Sequence, residues 1–339
     1  MTGPERVMAA LSGVLTDRPP YGLVCGSLGA RLAGYEPEEA FGDPELYVKG
    51  QEAAAALLDP DIVFTPFVLA FEAVAYGGEL APQRGAVYNL RRPPFKNARD
   101  AARALRAAPT PLDAAGIRFM LEATKRLADA VAGSRMVVAP IASPVDFPAL
   151  LIGIESWLDA LLFDPDAARE LASAGFDHFA ALAGAYAAAG AQALASPVMF
   201  VNPSILDERR VRELALPILT EGFGRSPLPI VFHHGGNPLS RYLGLFGGLP
   251  QVAGFVLGER DVYAEARAAI GAGPLLMATI PGPAFAAFTP DTLRARLAAL
   301  FEKRGADPAW GFTNAGAELP AETPSELLAS VRDFFHGRP

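Results

Sequence analysis

The chain has 339 residues, of which 51% are apolar and 19% are charged, and its mean hydropathy is +0.23. This composition excludes intrinsic disorder, which requires low hydrophobicity and high charge. A net charge of −8 and a pI near 5.2 argue against a nucleic-acid binder, which usually carries a basic face.

Short continuous apolar runs alternate with longer amphipathic stretches along the chain. Such runs predict strands that are buried on both faces of a parallel sheet. In chain order we predict strands at 21–24, 61–64, 136–139, 193–195, 229–233, 254–257, 275–279 and 310–313, and helices at 44–58, 114–131, 164–189, 208–220, 262–270, 291–303 and 325–335. Alternating strands in this number suit a single (β/α)8 barrel of the TIM type, whereas a doubly wound open sheet is the alternative.

Local signals support these helix starts and a single domain. Asp43, Asp164 and Thr323 each precede a proline, as capping residues do, and Thr323 has the spacing of a capping box with Glu326. No glycine-rich dinucleotide fingerprint follows the first strand. Residues 77–94 are predicted to form a loop or hairpin inserted in one βα unit. Because no linker rich in Pro, Gly and Ser divides the chain, we predict one domain, 1–339.

The longest uncharged stretch, 179–206, is long enough to span a bilayer, but it is rich in Ala and Gly and contains two prolines. A buried helix followed by a buried strand fits it better. Cys25 is the only cysteine, which excludes an internal disulfide. Residues 1–15 lack the continuous apolar core of a signal peptide, so we expect a cytoplasmic protein with no membrane partner.

Polar residues directly after the predicted strands are candidates for a functional site, because function in a parallel barrel lies at the carboxyl ends of the strands. The fifth strand ends in His233, His234, Gly235, Gly236 and Asn237. Adjacent side chains of a strand face opposite ways, so we expect one of the two imidazoles to face the barrel mouth. A neutral imidazole there can bind a metal, move a proton or hydrogen-bond a substrate. The alternative is a structural histidine bonded to a backbone carbonyl.

Other candidates follow other strands. Cys25 follows the first, although a lone cysteine is more often a small buried apolar group. Glu72 and Asp146 are carboxylates in apolar stretches, where a buried charge needs a partner. Asn314 and Glu318 follow the last strand, where Glu318 can instead cap the next helix. No P-loop, His-Glu-x-x-His motif or Ser-His-Asp arrangement can be identified, so the residues alone indicate a barrel enzyme with an apolar mouth and no particular reaction.

Short segments occur in a definite order over nearly the whole chain. They are Glu-Arg-Val-Met-Ala-Ala-Leu-Ser-Gly at 5–13, Asp-Arg-Pro-Pro at 17–20, Glu-Ala-Val-Ala-Tyr-Gly-Gly-Glu at 72–79, Phe-Asp-Pro-Asp at 163–166, Gly-Ala-Gln-Ala at 190–193, Val-Phe-His-His-Gly-Gly-Asn at 231–237 and Thr-Pro-Ser-Glu-Leu-Leu at 323–328. As an ordered set they resemble the uroporphyrinogen decarboxylase superfamily, most closely its corrinoid-dependent branch, the methylcobalamin:coenzyme M type of methyltransferase. The resemblance implies a (β/α)8 barrel.

The resemblance also implies a zinc site, which this sequence has largely lost. In the methyltransferase branch zinc is held by His-x-Cys after one strand and by a Cys after the last. His233 keeps the histidine, but Gly235 and Gly316 stand at the two cysteine positions and are expected to leave space there. One histidine does not hold zinc tightly. We therefore expect no metal.

The decarboxylase branch implies several cations for a tetra-acidic substrate. The corresponding segment, 21–35, has Arg31 as its only basic residue. Gly316 and Gln192 stand where relatives have a histidine and an aspartate. A porphyrinogen is therefore disfavoured, and we expect a small, weakly polar substrate.

The predicted function is that of a methyltransferase of this superfamily, corrinoid-linked and without zinc, with His233 and His234 as catalytic residues. The corrinoid, as methylcobalamin, is expected on a separate small partner protein, and a homodimer is left open. The alternatives are a decarboxylase or lyase acting on a small acid and a non-catalytic binding homologue. The residues predicted to bind the substrate are Cys25, Glu72, Asp146, Gln192, Asn202, Asn237, Asn314 and Glu318.

Overall fold

The computed structural model describes residues 1–81, 85–316 and 318–337. Its strands are β1 (Ile62–Phe64), β2 (Glu79–Ala81), β3 (Asn89–Arg92), β4 (Met136–Pro140), β5 (Ala193–Pro197), β6 (Ile230–His233), β7 (Val252–Val256), β8 (Leu275–Pro281) and β9 (Trp310–Ala315). Its α-helices are α1 (Gly3–Leu11), α2 (Gly26–Leu32), α3 (Pro37–Ala40), α4 (Pro44–Leu58), α5 (Ala70–Val74), α6 (Ala98–Ala107), α7 (Ala115–Val131), α8 (Phe147–Ile152), α9 (Ile154–Phe163), α10 (Pro165–Ala174), α11 (Phe176–Ala188), α12 (Glu208–Arg210), α13 (Leu216–Phe223), α14 (Leu243–Phe246), α15 (Tyr263–Ile270), α16 (Pro290–Lys303) and α17 (Ser325–His336). A π-helical turn (Val211–Ala215) joins α12 to α13, and a 3-10 helix (Gly282–Ala287) follows β8.

Within the described residues, seven parallel strands form one curved sheet in the order β1-β4-β5-β6-β7-β8-β9. Each strand of this sheet pairs with the next strand of the sheet along the chain, β1 with β4 across the separate β2–β3 pair, and helices lie between consecutive sheet strands. A doubly wound sheet would instead reverse its strand order at a switch point. The prediction of a TIM-type barrel is therefore confirmed.

The predicted first strand, 21–24, is not a regular strand, yet it fills the eighth position of the barrel. The N–H of Gly22 donates to the carbonyl of Phe312 in β9 (3.1 Å). On the other side, the N–H of Asp61 donates to the carbonyl of Tyr21 (2.9 Å), just before β1. This extended segment therefore connects the last strand to the first and closes the ring.

Two helix predictions differ from the structure. The predicted helix 164–189 is two helices, α10 and α11, which meet at Gly175, where an added Cβ would lie 3.0 Å from the ring of Phe147. The capping box at Thr323 is wrong, because Pro324 is extended and occupies the cap position itself and no described side chain caps α17, although the helix begins at Ser325 as predicted. By contrast, the Asp43 and Asp164 carboxylates accept backbone N–H groups at the starts of α4 and α10, as predicted.

The inside of the barrel is packed with side chains rather than open. Alternate residues of the strands point inward, as expected for a parallel barrel. They form a cluster of buried residues that comprises Val24, Ile62, Phe64, Met136, Val138, Ala193, Ala195, Val256, Leu275 and Met277. A ligand can therefore enter only above this layer, at the carboxyl ends of the strands.

A buried ion-pair network closes the opposite end of the barrel. The Asp61 carboxylate accepts hydrogen bonds from Arg6 and from Arg18 Nη1 (2.5 Å), as well as from the backbone N–H of Tyr21 (3.1 Å). Arg6 also donates to Asp17 at the surface (2.7 Å). The network joins α1 and the closing segment 21–24 to β1. We therefore assign a stabilising role to this end of the barrel.

The insertion predicted at 77–94 is confirmed as a hairpin, because β2 and β3 pair in antiparallel fashion. No helix within 1–81, 85–316 and 318–337 is both long enough and apolar enough to cross a membrane. The single domain remains a prediction.

Candidate functional site

The carboxyl ends of the barrel strands form a mouth with cavities that we call the wide, narrow and central cavities. The wide cavity, about 610 Å³, lies over β4 and β5 and is lined by residues that include Asp146, Ile154 and Met199. The narrow cavity, about 280 Å³, lies over β6 to β9 and includes His234, Arg260 and Gly316. The central cavity, about 30 Å³, lies inside the barrel below them and includes His233, Asn314 and Gly316.

His233 and His234 face different cavities of the mouth. His233 ends β6 and lines the central cavity, whereas His234 follows the strand and lines the narrow cavity. Their rings stack with centroids 4.7 Å apart. The expectation that only one imidazole faces the mouth was therefore too narrow, because the chain leaves the regular strand geometry immediately after His233.

The backbone fixes the tautomer of both rings. The N–H of Gly235 donates to His233 Nδ1 (3.0 Å), and that of Gly236 donates to His234 Nδ1 (2.9 Å). Because a backbone N–H can only donate, each Nδ1 carries a lone pair and each neutral ring carries its proton on Nε2. Burial lowers the pKa of His233 to about 3 and also lowers that of His234. Both histidines therefore present a hydrogen-bond donor at Nε2, not a base.

Asp146 is the carboxyl group of the mouth that titrates near neutral pH. It is buried beside the wide cavity, and its carboxylate accepts the N–H groups of Met199 (2.6 Å) and Phe200 (3.4 Å). Burial raises its pKa to about 7, and these hydrogen bonds oppose that rise only partly. Such a group can hold or release a proton at physiological pH.

We expect the free energy of unfolding to reflect the raised pKa of Asp146. Between about pH 4 and 7 the folded chain holds a proton on this group that the unfolded chain has lost, so stability falls as pH rises, by up to ~1.4 kcal/mol per pH unit. Asp146→Asn should remove this contribution. Urea unfolding of both proteins at pH 5 and pH 8 measures it, and an unchanged pH dependence in Asp146→Asn would contradict the assignment.

Met199 fills the space that Gly235 was expected to leave. A Cβ on Gly235 would lie 2.4 Å from Cγ and 2.8 Å from Cα of Met199, and the φ of Gly235 is +61°. Of the two glycines at the cysteine positions, Gly316, with φ of +72°, is the one that faces open space. Within the described part of the chain no three His, Cys, Asp or Glu side chains come together as a metal site would require. The residues present do not fit zinc.

Gly235→Ala is expected to destabilise the fold more than Gly316→Ala. Both substitutions force a side chain into a left-handed conformation, at a cost of ~1–3 kcal/mol. Only Gly235→Ala must also displace the backbone of Met199, which adds another ~1–3 kcal/mol of overpacking. Urea unfolding of the two variants measures the loss in free energy of unfolding for each. Equal losses would mean that Met199 moves aside at no cost, which would contradict this prediction.

Asn314 binds the closing segment 21–24, and Glu318 binds the start of α2. Asn314 Oδ1 accepts the N–H of Val24 (2.8 Å), and its side chain reaches the central cavity. Glu318 accepts both the hydroxyl and the N–H of Ser27 (2.8 Å for the N–H), and burial raises its pKa. Cys25 lies buried beside it, and burial raises the pKa of the thiol, which suits an inert apolar group.

Glu72 lies in a buried triad outside the mouth. Its carboxylate accepts the N–H of Ala142 (2.8 Å) and contacts His178 Nε2 (2.9 Å), while His178 Nδ1 contacts the hydroxyl of Tyr76 (3.1 Å). Sequence reasoning missed His178. The signal was present, since a buried carboxylate requires a partner and the chain contains only four histidines.

The remaining candidates are dispersed. Gln192 is exposed at the amino end of β5, opposite the mouth, where it accepts the N–H of Val137 (3.1 Å). Asn202 is buried and donates to the carbonyl of Met199 (2.6 Å), so it shapes the loop after β5. Asn237 is half-buried in the loop after His234. The structure thus brings Asp146 and Asn202 together at Met199, places Gly235, which follows the two histidines, against the same residue, and leaves Gln192 apart.

Fold and site together define a parallel (β/α)8 barrel with a candidate ligand site at its mouth. A family model described as uroporphyrinogen decarboxylase (URO-D) matches residues 2–338. The chain belongs to this family, which confirms the resemblance found in the sequence.

Solved structures confirm the fold. A methyltransferase from Methanosarcina mazei is 20% identical, with a TM-score of 0.85, and the alignment covers 98% of both chains. A putative vitamin-B12 independent methionine synthase from Listeria monocytogenes is 14% identical, with a TM-score of 0.55, over 96% of this chain and 98% of that one. No curated protein matches the chain. At these identities the likeness extends to the fold alone.

Proposed function

We propose that this protein is a methyltransferase that moves a methyl group between a small, weakly polar substrate and a corrinoid on a separate partner protein. The low charge of the wide cavity carries the proposal. Among the described residues that line the wide cavity, one carries a positive charge. This residue, Arg91, forms an ion pair with Glu79. A polyacidic substrate would need several cations, whereas a methyl donor or acceptor with little charge would not. The name of the Methanosarcina structure supports the same reaction class.

The size of the cavities argues for a corrinoid that the partner presents at the rim. A corrin macrocycle with its nucleotide tail does not fit into about 610 Å³. The bound corrinoid would supply a cobalt atom that carries the methyl group reversibly. Met199 and Ile154 are large apolar side chains that remain exposed at the rim of the wide cavity, where a partner would dock.

The residues of the chain would bind and activate the small substrate. Asp146, whose pKa burial raises to about 7, would take the proton of an acidic acceptor or return it to a leaving group. His234 would hydrogen-bond the substrate through Nε2–H. Met199, held by Asp146 and Asn202, would form part of the wall of the wide cavity.

The test is a demethylation assay of methylcobalamin with thiol, phenol and amine acceptors, followed by cobalamin absorbance. Asp146→Asn should lower the rate by ~10²–10⁴-fold, whereas Asp159→Asn, an exposed control on α9, should leave it unchanged. No spectral change with any acceptor, with or without candidate corrinoid proteins, would overturn the proposal.

Asp146 also favours a second candidate, a carboxy-lyase. A carboxyl group that is still partly protonated near pH 7 can protonate the carbanion left by loss of carbon dioxide. Release of carbon dioxide from a small acid, with no change in cobalamin absorbance, would favour this reaction over methyl transfer.

A further inference from the structure

The narrow cavity contains a hydrogen-bond donor that the chain itself leaves unused. His234 is only 3% exposed, and its Nε2 has no hydrogen-bond partner among the described residues. Since Gly236 fixes the tautomer, that nitrogen carries a proton. A buried N–H without an acceptor is costly to the fold, and an acceptor atom of a ligand would satisfy it.

The same cavity has a cation free to meet a ligand. Arg260 is exposed at its rim and forms no ion pair within the described ranges of the chain. Its acidic neighbours are engaged elsewhere. Glu259 pairs with Arg296 (2.7 Å). The carboxylate of Asp261 accepts three backbone N–H groups, those of Leu239, Ser240 and Gly258.

The rest of the cavity wall is small and apolar. Apart from Glu259, whose carboxylate is paired with Arg296, it consists of Gly236, Pro238, Gly258, Pro281, Pro283, Ala315 and Gly316. Three prolines offer flat apolar surfaces, and the missing Cβ of Gly316 faces open space. A volume of about 280 Å³ is enough for one ring-sized group.

We propose that the narrow cavity binds a small monocarboxylate, with one carboxylate oxygen on His234 Nε2–H, its charge facing Arg260 and its apolar body between the prolines. The identification of this ligand as the substrate rests on the proposed function, whereas the binding site stands on the contacts alone. The ligand thus has one anionic end and an otherwise apolar body.

Binding is tested on the full chain labelled with ¹⁵N-histidine, using benzoate and its neutral isostere benzamide as probes. Long-range ¹H–¹⁵N spectra report the tautomer directly, and His234→Gln assigns the signals. We expect His234 to be protonated at Nε2, and benzoate to shift that resonance saturably. Benzamide should bind about tenfold more weakly. A proton on Nδ1, or equal affinity for the two probes, would overturn the proposal.

Arg260→Gln should weaken benzoate binding about fivefold, as expected for a partly exposed ion pair. Arg99→Gln, an exposed control on α6, should not change it. An unchanged affinity in Arg260→Gln would also overturn the proposal. Benzoate binding without methyl transfer would instead overturn the proposed function and leave this site in place.

Discussion

Asp61→Asn is expected to lower the free energy of unfolding by ~3–5 kcal/mol, because it breaks a buried ion pair on one side only. Asp61 is 1% exposed and serves both Arg6 and Arg18, which are themselves buried. Asparagine has the same shape, but its amide nitrogen would face guanidinium or backbone donors. Urea unfolding followed by circular dichroism measures the loss.

Asp17→Asn is the matched control, since Asp17 also pairs with Arg6 but has a side chain that is 53% exposed. Water can replace this partner, so we expect a loss of ~1 kcal/mol or less. If the two variants lost similar amounts of free energy of unfolding, the burial of Asp61 would add nothing to the strength of its ion pairs. That result would contradict the stabilising role given to the network.

His178→Ala is expected to cost a comparable ~3–5 kcal/mol. The ring is parallel to Phe147 with centroids 4.2 Å apart, so its removal leaves a cavity. It also leaves the Glu72 carboxylate, 1% exposed, with the N–H of Ala142 as its remaining hydrogen-bond donor. Urea unfolding at pH 7 measures the change.

His336→Ala and His178→Gln provide the controls. His336 is exposed at the end of α17, so its loss should change stability by no more than ~0.5 kcal/mol. Glutamine at 178 keeps a donor for Glu72 and should recover part of the loss. If His178→Gln were as unstable as His178→Ala, the hydrogen bond to Glu72 would not be the cause.

The fold was largely predictable because each strand of a buried parallel sheet is a continuous apolar run. Helix α4 has its predicted bounds, and β6 to β9 lie within a few residues of theirs. The exceptions have local physical causes. Segment 21–24 pairs through too few bonds to form a regular strand, and α10 gives way to α11 at Gly175, where a Cβ would press on the ring of Phe147, although the apolar pattern continues.

The site was less predictable, because its geometry depends on residues that are distant in sequence. Position after a strand correctly placed Asp146 and the two histidines at the mouth. The fixed tautomers could not be predicted, since they depend on the turn formed after β6. The need of Glu72 for a buried partner was visible in the sequence, but that His178 supplies it was not, since the two residues are 106 positions apart.

Closure of the barrel also determines when this chain can complete its fold during synthesis. The N–H of Val24 donates to the side chain of Asn314, 290 residues further along. Contacts of such long range form late in folding. While the ribosome is still synthesising the chain before β9, the edge of β1 and the apolar lining of the barrel remain exposed to other chains. Until β9 has emerged, the unfinished barrel is therefore exposed to aggregation through this edge and lining.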